Sequence, residues 1–219
     1  MTTIFRLDSS IRTEGSVSRA VADTLENAII EAEGNDTRVT RRDLAADPVP
    51  TDAWATAAFA GHTPEDERTP EQQAAAALAT QLADEVGAAD VLIIGAPLYN
   101  FGVSQHLKTW FDLLITDPRF AGGAQTVKDK PAFLVIARGG GYGEGTPRAG
   151  WDHATGWLRR ILEDVWGLDL DVIETELTLA EVTPQMAELR DLARAQLAES
   201  HEVARTSGRS VTLKLRNAA

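Results

Sequence analysis

The sequence predicts an α/β fold built on an open five-stranded parallel sheet with helices on both faces. Three observations predict it. Strand-like and helix-like segments alternate along the chain. Two of the strands, Val91-Leu92-Ile93-Ile94 and Ala132 to Ala137, are continuous apolar runs, and loops rich in glycine or hydroxyl groups follow strands one, three and four. A strand buried on both faces reads as an unbroken apolar run, and strands separated by helices form parallel sheets through right-handed crossovers.

Taken in order, Thr3 to Leu7 is a short apolar strand ending in Asp8-Ser9-Ser10. Val21, Leu25, Ala28, Ile29 and Ala32 then repeat with helical spacing up to Gly34. Arg38 to Leu44 reads as a charged strand toward a sheet edge. Ala45 to Pro70 holds four prolines and one short helix around Ala53–Ala60. Pro70 opens an alanine-rich helix with Ala75, Leu78, Leu82 and Val86 on one face. After the third strand, Val103, Leu107, Trp110, Phe111 and Leu114 mark the next helix, and His106 reads as a structural neighbour of Trp110. A helix around Trp157 to Trp166 stops at Gly167. Leu170 to Thr175 is the fifth strand and Pro184 to Ala204 the last helix.

Composition excludes several function classes. The 219 residues carry 33 acidic and 21 basic side chains, a net charge of −12, which argues against a sequence-independent nucleic-acid binder. No apolar run reaches the roughly 18 residues of a membrane span, and Met1 to Ser10 lacks the apolar core of a signal peptide, so a cytoplasmic protein is expected. The absence of cysteine removes disulfides and thiolate chemistry. The four histidines form no metal-binding spacing, so no metal is expected, and the sequon Asn35-Asp36-Thr37 has no role in a chain that is not exported. From His201 onward, Arg205, Arg209, Lys214 and Arg216 face only Glu202, a net +3 that leaves −15 for the rest. Residues 1–204 are therefore read as one domain and 205–219 as a basic C-terminal tail, either solvated or docked on the acidic body or on a second subunit.

In open parallel sheets, ligands sit outside the carboxyl ends of the strands where the strand order reverses. Here that edge receives three loops. The first, Ser9 to Ser18, runs into a helix whose leading N–H groups lack internal partners; with the hydroxyls of Ser10, Ser16 and Ser18 it can cradle a phosphate, with Arg12 or Arg19 offsetting its charge. It is neither a Gly-Lys-Ser/Thr phosphate loop nor a G-x-G-x-x-G fingerprint. The second, Pro97-Leu98-Tyr99-Asn100-Phe101-Gly102, puts two aromatics where they can flank a planar ring. The third carries Gly139, Gly140, Gly141, Gly143 and Gly145, which let backbone approach a ligand edge, while Trp151 and His153 border it.

The stretch Ala96 to Phe101, with Ser104, Leu107, Lys108 and Phe111-Asp112 behind it, resembles the flavin loop and following helix of FMN-dependent NADH azoreductases, members of the flavodoxin-like NAD(P)H quinone oxidoreductases. The resemblance extends to Ser10, Ser16 and Ser18 and to Arg138-Gly139-Gly140, and spans the chain to about Ala204. It implies a flavodoxin-like sheet of order 2-1-3-4-5 and a homodimer that passes two electrons from NADH or NADPH through FMN to quinones or azo compounds in a ping-pong cycle. It further implies that Ser10, Arg12, Ser16, Val17 and Ser18 hold the FMN phosphate. Pro97, Leu98, Tyr99, Asn100 and Phe101 would line the isoalloxazine, and the Arg138-Gly139-Gly140-Gly141 backbone would bond its pyrimidine edge. No side chain is expected to act as a catalytic nucleophile. Two departures stand out. Ala137 replaces a hydroxyl residue common before the arginine, and Gly141-Tyr142 stands where a bulkier residue and a histidine can occur, with Tyr142 able to fill that place. A flavodoxin-type electron carrier, or a flavin-free binding module on the same fold, would share these features.

Overall fold

The computed structural model describes residues 1–34 and 36–218, with the side chains of 216–218 left out. Asn35 of the sequon, Ala219 and the Arg216 side chain therefore lie outside the described residues. Five strands, β1 (Thr2–Asp8), β2 (Thr37–Asp43), β3 (Val91–Pro97), β4 (Pro131–Ala137) and β5 (Asp169–Thr175), form one parallel sheet of order β2-β1-β3-β4-β5. This is the expected order, and the charged strand β2 is at the edge.

The side-chain alternation of the strands sorts the core into two layers. Phe5, Leu7, Leu92, Ile94, Leu134 and Ile136 point to one face, covered by α2 (Ala53–Ala60), α3 (Pro70–Gly87), α4 (Gln105–Leu114) and α5 (Thr155–Arg159). Ile4, Val91, Ile93, Phe133, Val135 and Ile173 point to the other, covered by α1 (Val17–Glu33) and α6 (Arg190–Ala218). Local chemistry sets the helix ends. Ser16 caps α1 by accepting from the Arg19 N–H, and Thr69 with Gln72 forms a reciprocal capping box ahead of Pro70. The helix through Trp157 changes to a π-helical segment at Arg160–Val165 and is stopped by Gly167 at φ 70°.

One boundary differs from expectation. The segment from Pro184 starts as a 3-10 turn (Pro184–Leu189), and α6 then continues past Ala204 to Ala218. Ala204 and Val211 are buried against α1, and Gly208 packs so closely that a Cβ there would stand 2.8 Å from Ala28 Cβ. Lys214 Nζ reaches Asp169 at 2.6 Å, so part of the basic segment lies on the acidic body.

The crossover after β1 leads to α1 on one face, and that after β3 leads to α4 on the other. The order reverses between these adjacent strands, and a crevice opens at their carboxyl ends.

Candidate functional site

Two connected hollows occupy that crevice. The smaller, about 250 Å³, is lined by Ser10, Arg12, Ser16, Val17 and Ser18 from the first loop, Pro97, Leu98 and Tyr99 from the second, and Ala137, Gly139, Thr178 and Leu179. The larger, about 820 Å³, is lined by Leu98 to Ser104 together with Ile11, Gln105, His106, Lys108, Gly139, Tyr142, Arg148 and Leu179. Leu98, Tyr99, Gly139 and Leu179 belong to both, so the hollows are two chambers of one cleft.

The small chamber offers hydrogen-bond donors. Ser10 and Ser18 are buried side chains, and the N–H groups of Val17 and Ser18 at the start of α1 have no partner among the described residues. Ser16 serves as the helix cap and lies 3.3 Å from Ser18 Oγ. Of the two arginines the loop offered, Arg19 is committed elsewhere. Its Nη1 and Nη2 each reach Asp43 at 2.7 Å, while Nη2 and Nε hold the Ser10 and Arg12 carbonyls. Arg12 keeps an unpaired guanidinium on the chamber wall.

The Arg19 bond holds the Asp43 carboxyl below its ordinary pKa of 3.8. A depressed carboxyl adds stability that is fully present above 3.8 and is lost as pH falls through the lower folded value. Asp43→Asn is therefore expected to flatten the fall in stability below about pH 4, read as urea midpoints from pH 2 to 5; an unchanged acid slope would refute this.

The second loop is a tight hairpin. Tyr99 and Gly102 exchange backbone hydrogen bonds, with Asn100 at φ 49° and Phe101 at φ 67° between them. Positive φ at both central positions matches the turn that suits paired strands; Asn tolerates it, whereas a phenylalanine there stores strain of about 1–3 kcal/mol. The turn pushes Phe101 outward, where Tyr142 and Trp151 meet it edge-on at 6.4 and 5.4 Å. Tyr99 turns back instead, its hydroxyl 3.2 Å from Ser10 Oγ, and thereby joins the two loops.

The third loop separates its backbone from its arginine. The Arg138 N–H donates to the Thr175 carbonyl, so the amides of Gly139, Gly140 and Gly141 are the ones without partners among the described residues. Gly139 lines both chambers, whereas Gly140 and Gly141 line neither. The Arg138 side chain points away from the cleft, with Nη2 2.7 Å from Glu174, Nη1 3.2 Å from Glu176 and Nε 2.7 Å from Asp152. Burial opposes its charge, but the Glu174 bond and the fields of Asp152 and Glu176 outweigh this and raise its pKa. Glu176 also accepts from the Tyr142 N–H, so this ion cluster shapes the loop without lining the cleft.

The sequence reading did not include Thr178 and Leu179. The segment after β5 bonds along the glycine loop, with Leu177, Thr178 and Leu179 N–H groups donating to Gly140, Arg138 and Gly139 carbonyls. The rule that assembled the other loops also puts the loop after the fifth strand at this edge. His106, read as helix packing, is a half-buried residue of the large chamber, and His153 donates its N–H to the Phe101 carbonyl. No group of three or more potential metal-ligating side chains occurs among the described residues, and none of their helices is long and apolar enough to cross a membrane.

The family model described as "Flavodoxin-like fold" matches residues 2–199. An FMN-dependent NADH:quinone oxidoreductase of Streptomyces coelicolor is 38% identical over 98% of this chain and 97% of that protein. One of Streptomyces avermitilis is 40% identical over 92% of this chain and 93% of its own. Among solved structures, an FMN-dependent NADH-azoreductase from Bacillus anthracis in complex with FMN superposes with a TM-score of 0.75 at 19% identity, covering 95% of this chain and all of the other. At that identity the likeness speaks for the fold alone.

Proposed function

The chain belongs to the flavodoxin-like fold family, and from that premise we propose that it is an FMN-dependent NADH:quinone oxidoreductase. One observation carries the reading beyond the family: the crevice at the strand-order reversal joins a donor-rich chamber to an aromatic one, and no carboxylate among the described residues lines either. The residues fit FMN. Val17, Ser18 and Gly139 line the small chamber with amides that have no partner among the described residues, and at Gly139 a Cβ would collide with Leu179 at 2.7 Å.

In this proposal Ser10, Arg12, Ser16, Val17 and Ser18 hold the phosphate, donating hydroxyl and amide N–H groups to it beside the Arg12 charge. Pro97, Leu98, Tyr99, Asn100 and Phe101 line the ring system, with Gly139 donating to its polar edge and Gly140, Gly141 and Arg138 supporting Gly139. Tyr142 closes the outer wall. Bound FMN supplies the two-electron hydride chemistry. The protein's part is to orient planar partners against Phe101, keep water from the buried floor and place amide donors where negative charge grows. No side-chain nucleophile takes part. We further propose that NADH (or NADPH) and the acceptor use the large chamber in turn, the structural basis of a ping-pong cycle. Azo compounds would be taken there as planar acceptors alongside quinones. The chain is proposed to work in the cytoplasm as a homodimer, with 1–204 as the flavin-binding domain and the basic residues that follow contributing to α6.

The test is the visible spectrum of FMN-reconstituted protein during anaerobic NADH addition. Full bleaching in one two-electron step, reversed by a quinone, is expected. Bound flavin indifferent to NADH would instead indicate an electron carrier, and failure to bind flavin a binding module.

A further inference from the structure

We infer that Arg148 sets substrate specificity in the large chamber by recognising an anionic group (carboxylate, sulfonate or phosphate) on the planar molecule that enters beside Phe101. The inference rests on the oxidoreductase reading for its substrates, though not for its electrostatics.

Arg148 lies on the glycine loop with its guanidinium carbon 5.9 Å from the ring centroids of both Phe101 and Tyr142. Among the described residues it has no carboxylate and no hydrogen-bond acceptor, in a chain with 33 acidic side chains and a net charge of −12. Stacking on aromatic faces holds a guanidinium in place without neutralising it and leaves its N–H edge free for a two-pronged bond to an anion. The guanidinium passes close to Gly140, where a Cβ would stand 2.9 Å from Arg148 Nη1.

Charge is sorted across Tyr142. On its cleft side the large chamber is lined by Arg148 and by Lys108, whose ammonium is paired with Asp112, and by no carboxylate among the described residues. On its other side a separate hollow of about 620 Å³ is lined by Asp152, Glu174, Glu176 and Glu199 around Arg138. Acid thus gathers where Arg138 neutralises part of it, and is absent where an incoming anion would meet it. With Lys108 paired, Arg148 remains on this concave wall as a charge without a carboxylate partner among the described residues, and such a charge favours anionic ligands. Two sources offer the same chemistry: an acidic substituent on an aromatic acceptor, or the pyrophosphate of the dinucleotide.

Wild-type, Arg148→Gln and Arg148→Lys proteins reconstituted with FMN should be titrated, without reductant, with anthraquinone-2-sulfonate and with uncharged 2-hydroxymethylanthraquinone. Tryptophan fluorescence reads binding, since Trp151 contacts Phe101. Separately, reduction of the bound flavin is timed against NADH concentration. The wild-type preference for the sulfonate is expected to fall about tenfold in Arg148→Gln, to recover partly in Arg148→Lys, and to weaken with salt in the wild type. A preserved preference with a roughly tenfold rise in half-saturating NADH would also support anion recognition and identify the pyrophosphate as its source. Equal weakening of both quinones with NADH unaffected, or no change in any arm, would overturn it. A wild type that binds the quinones but is not reduced by NADH would sink the oxidoreductase reading, while the comparison of charged and uncharged quinone still decides the role of Arg148.

Discussion

Arg6→Leu is expected to lower the unfolding free energy by about 3–5 kcal/mol, a large part of the 5–15 kcal/mol typical of a folded domain. Arg6 is fully buried under α1, on the same face of β1 as Ile4. Its guanidinium reaches Asp8 at 2.9 Å, Asp23 at 3.1 Å and Glu26 at 3.4 Å, and donates to the Arg19 carbonyl at 3.2 Å. Leucine would leave Asp8 and Glu26 buried with much of their compensation gone, and Glu26 would retain only its Arg41 contact. Urea denaturation checks the loss. Adding Glu26→Gln to the leucine variant is expected to recover part of it, because one stranded charge is then removed. A leucine variant as stable as the wild type would contradict the expectation. The network also reaches the site: Arg6 holds the first turn of α1, and Arg19 ties that turn to Ser10, Arg12 and Asp43. FMN affinity should therefore weaken along with stability.

That network was invisible in the sequence, where Arg6 is one polar residue in a short strand and Glu26 one acid on an amphipathic helix. Only the parallel pairing of β1 with β2, and α1 lying across them, brings Arg6, Glu26 and Arg41 together. What the sequence did reveal were features with a local cause. Continuous apolar runs gave β3 and β4, Pro70 gave the start of α3, and the charged face of β2 gave its edge position. The helix expected to end at Ala204 continues to Ala218, and Gly208 is small where α6 approaches Leu25 and Ala28 of α1. In the cleft, the three loops were legible because each immediately follows a strand. The direction of a side chain was not. The Arg138 backbone is read there as bonding a ligand edge, but nothing in the sequence shows that its side chain faces Glu174, or that the guanidinium of Arg148 lies over the Phe101 ring.

The glycine loop yields the other large effect. Its glycines are small for different reasons: Gly145 sits at φ 80°, a conformation that other residues strain to adopt, whereas Gly139 has no positive φ and is tight only in space. Alanine at 139 can thus keep the backbone, but its Cβ would stand 2.7 Å from Leu179 Cδ1 and 3.1 Å from Cγ. Leu179 is 41% exposed, so it can move at little cost to the fold, and stability should change by no more than about 1 kcal/mol. It also lines both chambers, so its displacement alters the cleft at their junction. Gly139→Ala is therefore expected to weaken FMN binding about tenfold or more, measured by flavin fluorescence titration. Leu179→Ala in the same chain should restore most of it by removing the atoms that clash. Unchanged FMN affinity in Gly139→Ala would mean that the cofactor does not approach this backbone closely. A loss that Leu179→Ala fails to rescue would place the clash between the added methyl and the flavin itself.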